Sequence, residues 1–190
     1  MIEEILGKVR IADRLTASRF ARTEDVCNIL SVGEHDPTSW GGQGRREWFP
    51  LSDSFQICPQ DYRRAVDALQ ESWRENLHVI VCCHAGESRS SAMLVGWLML
   101  HHREAVAKIQ SKLIDIRDLP ELFRETHRWV YDETKCQEAP ESLLGSTLFQ
   151  SIWCCYRYLA TEYPRVIINK GLWRKLIESG VFDSPKISTM

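Results

Sequence analysis

Apolar positions in this chain fall into short β-branched runs and longer stretches of helical period. The densest short run is Val79-Ile80-Val81-Cys82, which together with His78 has the length of a buried strand. Ser91 to His102 (SAMLVGWLMLHH) is apolar over the length of a buried helix, so a strand-loop-helix turn joins the two. Upstream, Lys8–Thr16 predicts an edge strand leading into a helical turn near Ser18–Glu24, and Cys27–Val32 and Glu47–Leu51 predict two further strands. Tyr62, Val66, Leu69 and Trp73 recur at helical spacing between Pro59 and Trp73, with the proline suited to a first turn. Downstream, Ala105–Ile116 predicts a core helix. Asp118 and Pro120 open another that runs to about Lys135.

Strands alternating with helices in 190 residues indicate an α/β fold with a well-buried core and some chain to spare. A break at Pro140 divides the chain into residues 1–138 and a C-terminal helical extension, residues 139–190. In the extension Leu148, Ile152, Cys155, Tyr156 and Leu159 share one apolar face, and Leu172, Leu176, Ile177, Val181 and Phe182 suggest a second short helix. Fifty residues barely sustain a core of their own, so packing on the first unit is the expected use of these faces. A partner or dimer surface in residues 141–190 is the alternative.

A net charge of -2 gives no case for general attraction to nucleic acid or membrane. No apolar run has membrane-spanning length, and MIEEILGKVR lacks the design of a signal peptide. The seven cysteines are odd in number and contain no C-x2-C pair, which points away from a disulfide framework or a zinc site. Reduced thiols in the cytoplasm are the expectation, with no metal and no cofactor.

The turn between the strand and helix carries the chemistry. From Cys83 the chain reads Cys83-His84-Ala85-Gly86-Glu87-Ser88-Arg89-Ser90. Small residues let the loop curl with its N–H groups pointing inward at a helix N-terminus, which makes an anion nest. A phosphate there would meet residues 84–89, from His84 through Glu87 and Ser88 to the planar fork of Arg89. The same field favours the thiolate of Cys83, and a thiolate under a bound phosphate is a nucleophile aimed at phosphorus.

This run resembles the C-x-A-G-x-S-R-S signature of the dual-specificity branch of the cysteine-based protein tyrosine phosphatases. The resemblance implies a phosphatase fold, a central mixed twisted sheet of about five strands flanked by helices. It also implies a cysteinyl-phosphate mechanism without a metal, and assigns roles to residues of this chain. Cys83 corresponds to the nucleophile, Arg89 to the phosphate clamp, and Ser90 to the hydroxyl that helps the thiolate leave. Asp53, on the loop after the third strand, resembles the aspartate that protonates the leaving oxygen and later activates water. Asp36 and Asp61 are its rivals. Trp40, Arg45 and Arg46 are weaker candidates for the rim of the pocket, in a loop whose Gly41-Gly42-Gln43-Gly44 run lacks a Walker lysine.

Two positions depart from the family pattern. Cys82 replaces the histidine that precedes the nucleophile, and Glu121 stands where the family has asparagine after a proline. The expected substrate is a phosphoprotein, since the negative Glu87 on the nest opposes polyphosphates and phosphoinositides. A phosphoprotein-binding pseudophosphatase, and an RNA 5′-triphosphatase or lipid phosphatase of the same superfamily, are the alternatives.

Overall fold

The computed structural model describes residues 7–23, 27–75, 78–112, 129–130, 147–163 and 165–183. In chain order they form β1 (Val9–Asp13), α1 (Arg14–Thr23), β2 (Cys27–Ser31), a 3-10 turn (Pro37–Ser39), β3 (Arg46–Trp48), α2 (Pro59–Arg74) and β4 (His78–Cys83). There follow α3 (Arg89–His101), α4 (Arg103–Lys112), β5 (Trp129–Val130), α5 (Thr147–Glu162), β6 (Ile168–Asn169) and α6 (Lys170–Glu178).

The main sheet has the order β1-β4-β2-β3, and every pairing in it is parallel. The expected fold class holds, but the described sheet has four strands rather than about five and is parallel rather than mixed. Each strand is followed by a helix or a long loop that carries the chain back across the sheet. No described pair is joined by the tight hairpin that an antiparallel neighbour uses. β2 and β4 are central and buried on both faces, as their continuous apolar runs require.

Register aligns the strand ends. Asp13 and Ser31 flank the end of β4, paired with Cys83 and Cys82 respectively, and Trp48 ends β3 beside Ser31. The carboxyl ends of all four strands therefore open onto one edge, where α/β sheets place their ligand sites. The loop after β3 that carries Asp53 meets the loop after β4 there.

One face of the sheet is covered by α1, whose Ala17 and Ala21 pack with Ala12, Ile29, Ile80 and Cys82. The other face carries the larger core. There α3 is buried along nearly its whole length, from Arg89 to Met99. Helix α2 lies against it, and Tyr62 Oη donates to the Ala92 carbonyl at 2.7 Å. Ile152, Trp153, Cys155, Tyr156 and Leu159 of α5, with Leu172, Trp173 and Leu176 of α6, belong to the same continuous core as β4 and α3. Their apolar faces are thus buried against residues before Pro140. Trp173 Nε1 donates to Tyr156 Oη at 2.8 Å, so the two C-terminal helices also hold each other.

The helix expected from Asp118 to Lys135 lies mostly outside the described residues, as does Glu121. Within it Trp129–Val130 is instead a short strand paired with β6. No described helix is long and apolar enough to cross a membrane.

Burial of this kind makes a stability prediction. Trp173 is 1% exposed. Trp173→Ala should lower unfolding free energy by about 3–5 kcal/mol in urea titration. A loss below about 1 kcal/mol would mean that α6 is not part of the cooperative core.

Candidate active site

The loop from Cys83 to Arg89 is seated by two close backbone approaches. Gly86 has φ of 70°, and a Cβ there would meet the Ala12 carbonyl carbon and Asp13 nitrogen at 2.7 Å. Gly33, leaving β2, lies so near that a Cβ would meet Cys83 Cα at 3.2 Å and His84 N at 3.3 Å. Arg14 N donates to the His84 carbonyl at 3.3 Å, tying the loop to the start of α1. The N-cap residue of α3, Ser88, makes no side-chain capping bond, and its Oγ donates to Asp53 Oδ1 at 2.6 Å. First-turn N–H groups of a helix that begins this way are of the kind that suits an anion.

Arg89 is the most constrained residue of the loop. Its side chain is 8% exposed, and its Nη1 and Nη2 donate to the two oxygens of Glu34 at 2.5 and 3.1 Å. Nη1 also donates to the Leu51 carbonyl at 3.3 Å. Burial would lower the arginine pKa, but the Glu34 hydrogen bonds and the nearby negative charges more than offset it, and the guanidinium is raised above its usual range. Arg89 in turn holds the Glu34 carboxyl below its usual range. The sign follows: this pairing is complete above the ordinary carboxylate pKa and is lost as pH falls through the lowered value.

With the Nη end clamped, the Nε edge is open. Arg89 Nε is buried and has no hydrogen-bond partner among the described residues; its nearest acidic neighbour is Asp53 Oδ2 at 3.8 Å. Cys83 Sγ lies 3.4 Å from Ser90 Oγ, and both are buried. Asp53 is fixed on one side: Oδ1 accepts from Ser88 Oγ and, at 3.2 Å, from Asn169 Nδ2, which also donates to the Asp53 carbonyl at 2.9 Å. Oδ2 is the oxygen that faces Arg89.

Cys83, Ser88, Arg89, Ser90 and Asp53 therefore converge at the carboxyl edge of the sheet. The rival acids do not join them. Asp36 Oδ1 accepts from Thr38 N at 2.9 Å as the cap of the 3-10 turn, and Asp61 pairs with Arg64 on exposed α2. The expected rim residues are also elsewhere. Arg46 donates to the carbonyls of Cys27, Gly41 and Gln43, and Arg45 pairs with Glu47 and Glu75, all toward the amino end of β2. A cation at the start of a parallel strand lies at the opposite edge from the nest. Trp40 packs against the α1 face of the sheet.

Two further expectations change. Glu87 is paired with Arg165 through a short contact and a second hydrogen bond from Nε at 2.9 Å, so its charge is balanced by the C-terminal segment. Its carboxylate is therefore not an unbalanced charge set against polyphosphates. Cys82 lies among Ala17, Ala21 and Ile29 on the opposite face of β4 from Cys83, and burial pushes its thiol up to about 12. It is a neutral core thiol.

The fold is that of a dual-specificity phosphatase. The Yvh1 phosphatase domain from Chaetomium thermophilum is similar to this chain at TM-score 0.55 and 16% identity, covering 93% of this chain and 95% of that one. OH1 of Orf virus, described as a tyrosine phosphatase with triple substrate specificity, matches at TM-score 0.52 and 16% identity over 94% of this chain and 86% of its own. Human DUSP28 matches at TM-score 0.51 and 15% identity over 92% of each. Comparison of the sequence with protein-family models and with curated proteins gives no match.

Within this phosphatase fold, Glu34, Asn169, Ile167 and Arg165 are site neighbours that the sequence reading passed over. Ile167 N donates to the Glu87 carbonyl at 3.0 Å, and Ser91 Oγ lies 2.5, 2.8 and 3.4 Å from the carbonyls of Glu87, Ser88 and Ile167. Residues 165–169 thus brace both the loop from Cys83 to Arg89 and Asp53. The one available signal was Asn169 as an N-cap ahead of a helical period, and its Oδ1 does accept from Leu172 N at 3.0 Å. Its second function, as an amide donor to Asp53, needs the tertiary fold.

These two functions separate by mutation. Asn169→Ser keeps a capping oxygen and removes the amide donor, whereas Asn169→Ala removes both. The alanine variant should be less stable than the serine variant by about 1 kcal/mol in chemical denaturation. Equal stabilities would remove the capping role.

Proposed function

We propose that this protein is a phosphatase that hydrolyses phosphate monoesters, phosphotyrosine on proteins first and phosphoserine or phosphothreonine second, through a phosphoryl group carried on Cys83. The observation that carries this reading is the buried Nε of Arg89, which has no hydrogen-bond partner among the described residues, at the start of α3, whose N-cap Ser88 makes no side-chain cap. A buried donor without an acceptor is costly, and a phosphate oxygen is the acceptor that suits it.

In the first step Cys83 Sγ attacks phosphorus, and the P–S bond forms as the bond to the ester oxygen breaks. Asp53 gives its proton to that oxygen. The proton belongs on Oδ2, because Oδ1 already accepts from Ser88 and Asn169. Arg89 and the loop N–H groups stabilise the charge on the three non-bridging oxygens throughout. In the second step the Asp53 carboxylate takes a proton from water, the water oxygen attacks phosphorus, and the P–S bond breaks. Ser90 Oγ, in contact with Cys83 Sγ, donates to the departing thiolate.

Phosphoprotein preference is supported by the fold and by its likeness to OH1 of Orf virus, a tyrosine phosphatase. Among the described residues, none at the pocket favours a polyphosphate or lipid headgroup specifically. A reducing cytoplasm is the compartment in which the reaction runs, since disulfide formation at Cys83 would end it.

Hydrolysis of a small aryl phosphate, with reductant and chelator present, tests the proposal. Cys83→Ser should reduce turnover to background, and Asp53→Ala should lower kcat by about 10²–10⁴-fold with loss of the general-acid limb of the pH profile. Arg89→Lys should cost both KM and kcat, because an ammonium cannot grip two oxygens. Wild-type protein that binds inorganic phosphate without turning over would establish the pseudophosphatase reading instead.

A further inference from the structure

At the mouth of the pocket, the loops leaving the carboxyl ends of β2 and β4 bring two imidazoles and a carboxylate together. Glu34, His35 and His84 each offer one ligating atom, and these atoms lie within 4.8 Å of one another. The rings of His35 and His84 have centroids 5.8 Å apart and an interplanar angle of 34°. The backbone beneath them is held in place. Ser31 Oγ donates to the His35 carbonyl at 2.6 Å, Trp48 Nε1 donates to the Gly33 carbonyl at 2.9 Å, and Gly33 packs on the backbone of Cys83 and His84. The hydrolytic steps above use neither imidazole ring.

We propose that Glu34, His35 and His84 form a binding site for a divalent transition-metal cation of the zinc class at the mouth of the pocket. Two histidines and one glutamate with a fourth position open to solvent is a donor set zinc accepts. Imidazole nitrogen selects against magnesium and calcium, which take oxygen ligands. Around a tetrahedral zinc ion with bonds of about 2.0–2.2 Å, ligand atoms stand roughly 3.5 Å apart. The three atoms need to close by about 1 Å, which side-chain rotation supplies, since Glu34 and His84 are exposed and His35 is half-buried.

Glu34 links this site to the pocket. Both its oxygens accept from Arg89, yet a carboxylate has further lone pairs for a metal. Negative charge drawn toward the cation is withdrawn from the arginine clamp. The proposal stands on the donor geometry and does not require that the protein turn over phosphate esters.

The test is a zinc titration of the full chain, reduced and freed of metal, in competition with a chromophoric chelator. One Zn²⁺ per chain should bind. His35→Ala and Glu34→Gln should each weaken binding by about 100-fold or more, above the cost of losing an outer-sphere partner. Cys83→Ser should leave the affinity unchanged, a millimolar excess of Mg²⁺ should not displace the zinc, and the Co²⁺ form should lack a thiolate charge-transfer band. Binding lost in Cys83→Ser and kept in His35→Ala would place the cation on the thiolate and overturn the site. Absence of stoichiometric binding by the wild type would overturn it equally.

Discussion

A guanidinium held almost out of solvent must find acceptors for its five donors, and the site is arranged around that requirement for Arg89. Glu34 takes the Nη end with both oxygens, the Leu51 carbonyl takes a further bond, and Nε is left over. These acceptors come from the exits of β2 and β3, so the arginine draws two loops against the one it belongs to. The result is a fixed fork with one edge committed to the protein and the other directed at Asp53 and the nest. In the proposed function a phosphate oxygen would be the acceptor that Nε lacks among the described residues.

The parallel sheet makes this economical in chain length. Because β1, β4, β2 and β3 all run one way, Asp13, Cys83, Ser31 and Trp48 end at a common edge, and every loop leaving that edge can contribute to one site. The C-terminal segment closes the far side: Asn169 holds Asp53, Ile167 and Arg165 hold Glu87, and α5 and α6 anchor that segment in the core shared with α3. The geometry around Asp53 and the 83–89 loop is therefore coupled to core packing at residues 165–169. A change that loosens α6 should be felt at Asp53 as well as in stability.

The strand-loop-helix turn was legible because each of its parts is local. A β-branched run, a loop of mostly small residues and a continuous apolar helix follow one another, and the turn's chemistry lies within eight consecutive residues. The placement of Asp53 beside this turn was legible through the order of elements, and its role as acid belongs to the proposed function. Glu34 and Asn169 were not, since a glutamate in a Gly-Pro loop and an asparagine before a helix carry ordinary solvation and capping explanations in sequence. Only the β2–β4 pairing brings Glu34 to Arg89, and only the packing of α6 brings Asn169 to Asp53. Glu87 misled for the same reason: its charge was visible and its partner, Arg165, was far along the chain. Arg45 and Arg46 misled because a strand has two ends, and charge alone does not say at which end a loop meets the site.

The central claim is that a phosphoryl group passes through Cys83. Rapid acid quench of the wild-type protein with an aryl phosphate, followed by peptide mass spectrometry, reads this directly. A phosphoryl adduct on the Cys83 peptide, formed within the first turnover and decaying as substrate is exhausted, is the predicted result. Turnover with no adduct on Cys83, or with the adduct on another residue, would contradict the account.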